Sequence, residues 1–118
     1  MNDRIREREV ALSYFKYWNN RDLKRLSEIL SADVSLVDWE INVSGLKPVL
    51  NANEQIFNDV DGIRAELVTL TTEANTVIAE LNIHISEMEI LEVVDVLRLT
   101  DDYKIKSIKA FKCRHLRT

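Results

Sequence analysis

Three oxygen-bearing side chains, Tyr14, Asp38 and Asp95, sit where apolar residues would be expected, and their chemistry would be hydrogen bonding and proton transfer. In the stretch 90–100, one face reads Leu91, Val93, Asp95, Leu97 and Leu99, so four large apolar residues surround one carboxyl group. The other face, Ile90, Glu92, Val94, Val96 and Arg98, is mixed. A carboxylate centred on an apolar face is poorly solvated, which raises its pKa unless a cation pairs with it. Asp38 repeats the pattern on a smaller scale, sharing a face with Val34 and Leu36. Tyr14 falls on the inward stripe of a helix, and a buried phenol needs a hydrogen-bond partner. Each has a structural alternative: Asp95 can pair with a buried Arg or cap a turn, Asp38 can lie exposed at a strand end, and Tyr14 can be a core tyrosine. The three together, on three elements around one cavity, favour a site.

The elements that must position them follow from hydrophobic periodicity. Residues 4–19 carry Val10, Ala11, Tyr14, Phe15 and Trp18 at helical spacing. Asn20 is the expected cap of a second short helix whose buried face is Leu23, Leu26, Ile29 and Leu30. Ser31 to Asp33 should end it, and Val34 to Ile41 reads as a strand. Gly45 marks a turn, and Pro48 suits the first position of a third helix with the stripe Val49, Ala52, Asn53, Ile56, Phe57 and Val60. After Asp61-Gly62 the period changes from 3.6 to 2, giving strands over 63–72, 76–87, 90–100 and 103–112. Their short connections require antiparallel pairing. The expected architecture is α+β: three N-terminal helices packed on a curved, mostly antiparallel mixed sheet that encloses a pocket.

Composition narrows the function further. A chain of 118 residues can bury one core, and with two glycines and one proline it has no room for a flexible linker, so residues 1–118 read as one domain. The same scarcity excludes a Gly-rich phosphate loop. A net charge of −4 argues against nucleic acid. Lys109, Lys112, Arg114 and Arg117 read instead as a solvated edge strand or tail. No run approaches the roughly 18 apolar residues that cross a bilayer, and no leader is expected in the charged start Met1 to Glu9. Cys113 is alone, so no internal disulfide forms. The expectation is a soluble, cytoplasmic protein, in which the Asn42-Val43-Ser44 sequon carries no glycan. His84 alternates with Glu80, Asn82 and Ser86 on the outer sheet surface, away from any metal-ligand spacing, and no nucleophile–base pair stands out. Ile78 and Asn82 beside Val94 and Val96 make that outer face too apolar in places to be plainly solvated, and an isologous two-fold contact would cover it.

The order of elements and several segments resemble the NTF2-like superfamily, the cone-shaped fold of ketosteroid isomerases and SnoaL-like polyketide cyclases. The resemblance runs from about Ile5 to Lys112. Tyr14-Phe15-Lys16-Tyr17-Trp18-Asn19-Asn20-Arg21-Asp22-Leu23 is similar to the isomerase helix that carries a catalytic Tyr followed by Asn-x-x-Asp-Leu. Ala32-Asp33-Val34-Ser35-Leu36-Val37-Asp38 resembles the strand ending in the general-base Asp. Val94-Asp95-Val96-Leu97-Arg98-Leu99, followed by Lys104-Ile105 and a closing Ala110-Phe111, resembles the strand bearing a protonated Asp.

The resemblance implies that Asp38 is the base, with Tyr14 and a neutral Asp95 holding the oxygen of a developing enolate. Trp18, Val34, Leu36, Phe57, Val93 and Leu97 are the expected pocket lining. It also implies a small hydrophobic ligand, no cofactor or metal, and a homodimer through the outer sheet face. Where the isomerases commonly continue with proline, Trp39-Glu40 follows Asp38, and the lining is aliphatic rather than phenylalanine-rich. Two functions stand at this point: an enzyme moving a proton on a small apolar ketone, or a non-catalytic ligand-binding or dimerising module. In the second, a cation would tie up Asp38 or Asp95, or Trp18, Trp39 and Phe57 would fill the cavity.

Overall fold

A computed structural model describes residues 3–118; Met1 and Asn2, part of the expected domain span, lie outside the described residues. Helix α1 (Arg4–Asn19) starts where the Asp3 carboxylate accepts the Arg6 N–H at 3.1 Å, a side-chain substitute for the missing helical acceptor. Its buried side chains are Glu7, Ala11, Tyr14, Phe15 and Trp18, one stripe at the 3–4 residue spacing that faces a sheet. The helix closes at Asn20, whose N–H reaches the Lys16 carbonyl at 3.0 Å. Helix α2 (Leu23–Ile29) is capped by Asp22, which accepts the Arg25 N–H at 3.0 Å, so the expected Asn20 cap belongs to the end of α1 instead. Arg21, at φ 55°, supplies the reversal between the two helices.

Strand β1 (Leu30–Val37) follows α2 directly, four residues earlier than its apolar pattern suggests. Its early start comes from parallel pairing with a distant partner, Leu30 opposite Ile105, with a register irregularity before Ser35. It also ends before Ile41. Beyond it the Asp38 Oδ1 accepts the N–H groups of Glu40 at 2.7 Å and Ile41 at 2.6 Å, and the Asp38 N–H donates to the Ile41 carbonyl at 2.8 Å. That Asx-type turn reverses the chain into a short strand not evident from the pattern, β2 (Asn42–Ser44), antiparallel to β1 with Val37 opposite Asn42. Helix α3 (Leu46–Asp59) begins after Gly45 at φ 101°, a value an L side chain resists. Pro48 therefore lies in its first turn rather than at the first position. Val49, Asn53 and Phe57 are its buried face.

The second half is four strands: β3 (Arg64–Glu73), β4 (Thr76–Ser86), β5 (Glu89–Leu99) and β6 (Ile105–Arg117). The sheet order is β2-β1-β6-β5-β4-β3, with every neighbouring pair antiparallel except β1 and β6. Strand β6 runs past the expected end at 112 because its polar tail is paired: Glu89 stands opposite Arg117, and the Arg114 Nη2 donates to Glu92 at 2.9 Å. Three helices thus pack on a six-stranded mixed sheet that does not close, the expected α+β architecture. The core lies between, with Leu26, Leu81, Leu97, Leu99, Ile105 and Ile108 almost fully removed from water. His84 is half-buried and bonded to Glu66 at 2.9 Å.

Asn19 joins the layers. Its Nδ2 donates to the Ala65 carbonyl at 2.9 Å and its Oδ1 accepts the Ala65 N–H at 2.8 Å, so one amide satisfies both backbone groups of a residue on the edge strand β3. Asn19→Ala removes two hydrogen bonds and should destabilise the fold by about 2 kcal/mol. Urea unfolding measures the loss, and faster hydrogen exchange at the Ala65 amide locates it.

Candidate active site

Between the helices and the sheet lies a cavity of about 280 Å³, and Tyr14, Asp38 and Asp95 all line it. Asp95 projects from the middle of β5 and is 8 % exposed. Its directly paired neighbours are Ala79 on β4 and Ala110 on β6, so the sheet leaves space beside the carboxyl where larger residues would fill it. Tyr14 comes from α1 and is 4 % exposed. Asp38 stands just beyond the end of β1, half-buried.

Their hydrogen bonding divides them. Neither the Tyr14 hydroxyl nor the Asp95 carboxyl makes a hydrogen bond among the described residues, and neither is sealed in the core, so both are free to meet a ligand. Asp38 is held through Oδ1 by two backbone N–H groups, while Oδ2 makes no hydrogen bond among the described residues. The cation or turn that would give Asp95 a purely structural role is absent from its surroundings: neither Asp38 nor Asp95 belongs to an ion pair of the described residues. Burial raises the pKa of Asp95 to about 7, and the nearby charge of Asp38 adds to the rise. The Tyr14 phenol is pushed well above its ordinary value, first by burial and then by the charge of Asp95, so it stays protonated across the working range. The arrangement offers two O–H donors and one anchored carboxylate with a free oxygen.

The expected lining is partly rearranged. Trp18, Leu36 and Val93 face the cavity, with Trp39, Glu40 and Ile41 at the Asp38 turn. Val34 and Leu97, both fully buried, lie in the solid core instead: they share faces with Leu36 and Asp95 but sit two residues deeper along their strands. Phe57 is also outside the lining, because its ring packs edge-on against Trp18, centroids 5.1 Å apart. Trp18 and Trp39 therefore border an open volume. Asn53 on α3 also lines the cavity, 2 % exposed. A polar residue inside the apolar stripe of α3 is the same signal that marks Asp95 in β5. Among the described residues, no three His, Cys, Asp or Glu side chains gather as a metal-binding group.

Comparison with known proteins bears on the family and the fold. The sequence profile of the SnoaL-like domain matches residues 11–108. No curated protein matches the chain. Among solved structures, it is similar to a candidate ketosteroid isomerase from Kribbella flavida, with a TM-score of 0.86 at 19% identity over 97% of this chain and 82% of that one. It is also similar to a candidate SnoaL-like polyketide cyclase from Jannaschia, with a TM-score of 0.81 at 13% identity over 95% of this chain and 91% of that one. A cystatin-fold protein from Novosphingobium aromaticivorans gives a TM-score of 0.79 at 14% identity over 88% of this chain and 96% of that one. At these identities the structural likeness speaks for the fold, and the profile, spanning most of the sequence, speaks for descent: the chain belongs to the SnoaL-like domain family and has the NTF2-like, cystatin-like fold.

Proposed function

We propose that this protein is an acid–base enzyme of the isomerase or cyclase type, acting on a small hydrophobic ketone without metal or organic cofactor. The observation that carries the reading is the pair of unpartnered donors, Tyr14 and Asp95, sharing a largely apolar cavity with an anchored carboxylate. Asp38 Oδ2 takes a proton from the carbon next to the carbonyl; the C–H electron pair becomes the C=C bond of the enolate, and the carbonyl π pair moves onto the oxygen. The Tyr14 hydroxyl and protonated Asp95 donate hydrogen bonds to that oxygen as it gains charge. In an isomerisation, Asp38 returns the proton to another carbon of the conjugated system; in a cyclisation, the enolate carbon attacks a second carbonyl, whose π pair moves onto its oxygen, and that oxygen takes the proton back from Asp38. Donors already fixed toward the developing charge supply most of such a rate enhancement. The opposite states asked of two carboxyl groups, a base and a neutral acid, suit their different surroundings.

The isomerase and cyclase descriptions attached to the structural neighbours are consistent with this chemistry. A non-catalytic binding module accounts less well for two hydroxyl donors left without partners beside a carboxylate. We also infer a homodimer through the outer face of the sheet. There Ile78 is 44% and Phe111 54% exposed, and the register places them beside Val96 and Val94 in adjoining rows, a patch that a two-fold contact would cover. No helix among the described residues is long and apolar enough to cross a membrane. The exposed thiol of Cys113, the one cysteine of the sequence, suits a reducing compartment, and on that ground we assign the protein to the cytoplasm.

With small cyclic enones as substrates, Asp38→Asn should lower proton transfer by about 10²–10⁴-fold and Tyr14→Phe by about 10²–10³-fold. Solvent-deuterium incorporation beside the carbonyl reads both, and an unchanged rate in Asp38→Asn would overturn the assignment. Asp95 supplies a separate test through pH. Its carboxyl binds a proton in the folded protein up to about pH 7, whereas in the unfolded chain it releases it near the ordinary 3.8. The folded state therefore holds more protons between those values, and raising the pH through that window destabilises it. Wild type should lose on the order of 2 kcal/mol between pH 5 and pH 8 that Asp95→Asn retains, as measured by urea unfolding. Activity should fall above pH 7 in wild type, and Asp95→Asn, still a donor, should flatten that limb.

A further inference from the structure

Asn53 has no place in the proton transfer, yet its surroundings give it a fixed orientation and leave it half used. The Trp18 Nε1–H donates to its Oδ1 at 2.9 Å, and its Nδ2 donates to the Val49 carbonyl at 3.0 Å. An indole N–H can only donate and a carbonyl can only accept, so the two contacts determine which end of the amide is which. A primary amide offers two N–H donors and two acceptor lone pairs. One of each is engaged, and Asn53 makes no other side-chain hydrogen bond among the described residues. The side chain is 2 % exposed and lines the cavity, so a ligand in the cavity lies beside the amide while bulk water does not. Each amide atom thus has one partner and keeps one further hydrogen-bonding position, which a ligand hydroxyl or carbonyl can fill.

The charges around the cavity restrict that ligand. Asp38, Glu40 and Asp95 line it, and no Lys, Arg or His of the described residues does. The ammonium of Lys112 lies 5.6 Å from the centre of the Trp39 ring without lining the cavity. An anionic group would lose its water against like charge with no cation in return. Size restricts it again: about 280 Å³ is roughly nine water volumes, room for one or two rings.

We infer that Asn53 is a second polar subsite, and that the ligand is a compact, uncharged molecule with two oxygen functions, one for Tyr14 and Asp95 and the other for the Asn53 amide. Trp18, which holds Asn53, follows Tyr14 by one helical turn, about 6 Å along α1. The two subsites are therefore tied to successive turns of α1. That the first oxygen is the one at which enolate charge develops rests on the function proposed above; the Asn53 subsite itself does not.

Three ligands of one shape test the inference by titration calorimetry on the full chain: 2-naphthol, 2,6-dihydroxynaphthalene and 6-hydroxy-2-naphthoate. Wild type should bind the diol about five- to tenfold tighter than 2-naphthol, and the carboxylate at least tenfold more weakly than the diol. Asn53→Leu should bring the diol-to-naphthol ratio to one while leaving 2-naphthol within about threefold. Trp18→Phe, which frees the amide from the indole but keeps it in the wall, should retain the preference, as a purely structural Asn53 would not require. If Asn53→Leu does not fold, Trp18→Phe with Asn53→Ala, in which no indole N–H is orphaned, makes the same comparison. Equal affinities for diol and naphthol in wild type, a preference that survives loss of Asn53, or tighter binding of the carboxylate would each overturn the inference. Failure of the proton-transfer proposal would register separately, as 2-naphthol binding indifferent to Tyr14→Phe with the Asn53 ratio intact.

Discussion

The carboxyl of Asp95 is buried in the middle of a sheet with no cation beside it, and the rest of the site is arranged around that fact. Removing a charge from water is costly enough that the group keeps its proton toward neutrality. Two alanines flanking it in the register give the carboxyl room, and Tyr14 contributes a second O–H to the same space. Were an arginine to reach it, Asp95 would be an ionised acceptor; were leucines to stand opposite, it would face no cavity. The character of the site as donor rather than acceptor comes from what surrounds the residue more than from the residue.

Asp38 shows how one side chain serves structure and site together. Its Oδ1 holds the N–H groups of Glu40 and Ile41, which ends β1, starts the return into β2 and sets Trp39, Glu40 and Ile41 around the cavity. A carboxylate anchored through one oxygen has little rotamer freedom left to lose, so the other oxygen is positioned in advance of any ligand. Anchoring recurs at the helical side. Trp18 and Asn53 bind α1 to α3, Asn19 binds α1 to the edge strand, and the Glu7 carboxylate accepts the Asn75 N–H at 2.6 Å beneath the β3–β4 turn. Tyr14 lies on α1 between these contacts, on a helix tied to its neighbours at both ends.

Long periodic segments were legible from the order of apolar and polar residues alone. The stripe of α1 and the alternation of β4 and β5 placed Tyr14 and Asp95 on inward faces, because burying an apolar face constrains side-chain direction over many residues at once. Element ends were less so. Asn20 and Asp22 are both good caps by type, and only the backbone path through Arg21 selects between them. Likewise, Ser31, Ala32 and Asp33 look like a loop, yet the parallel partner β6, more than seventy residues away in sequence, draws them into β1. Depth along a strand was also hidden. Val34 and Leu36, or Leu97 and Val93, are equivalent by alternation, and only the packed helices decide which of each pair borders empty space.

What the sequence determined by itself is a set of directions: three helices, a following run of antiparallel strands, and two oxygen acids turned toward the interior, since periodicity fixes the face a side chain occupies. Tertiary structure decided the distances and the environments. It brought residues 14, 38 and 95 to one cavity, left Tyr14 and Asp95 without hydrogen-bond partners among the described residues, and gave Asn53 its indole and its place in the wall. The reason is physical: the chemistry of an acid depends on solvation and on neighbouring charge, and both are set by groups far apart along the chain.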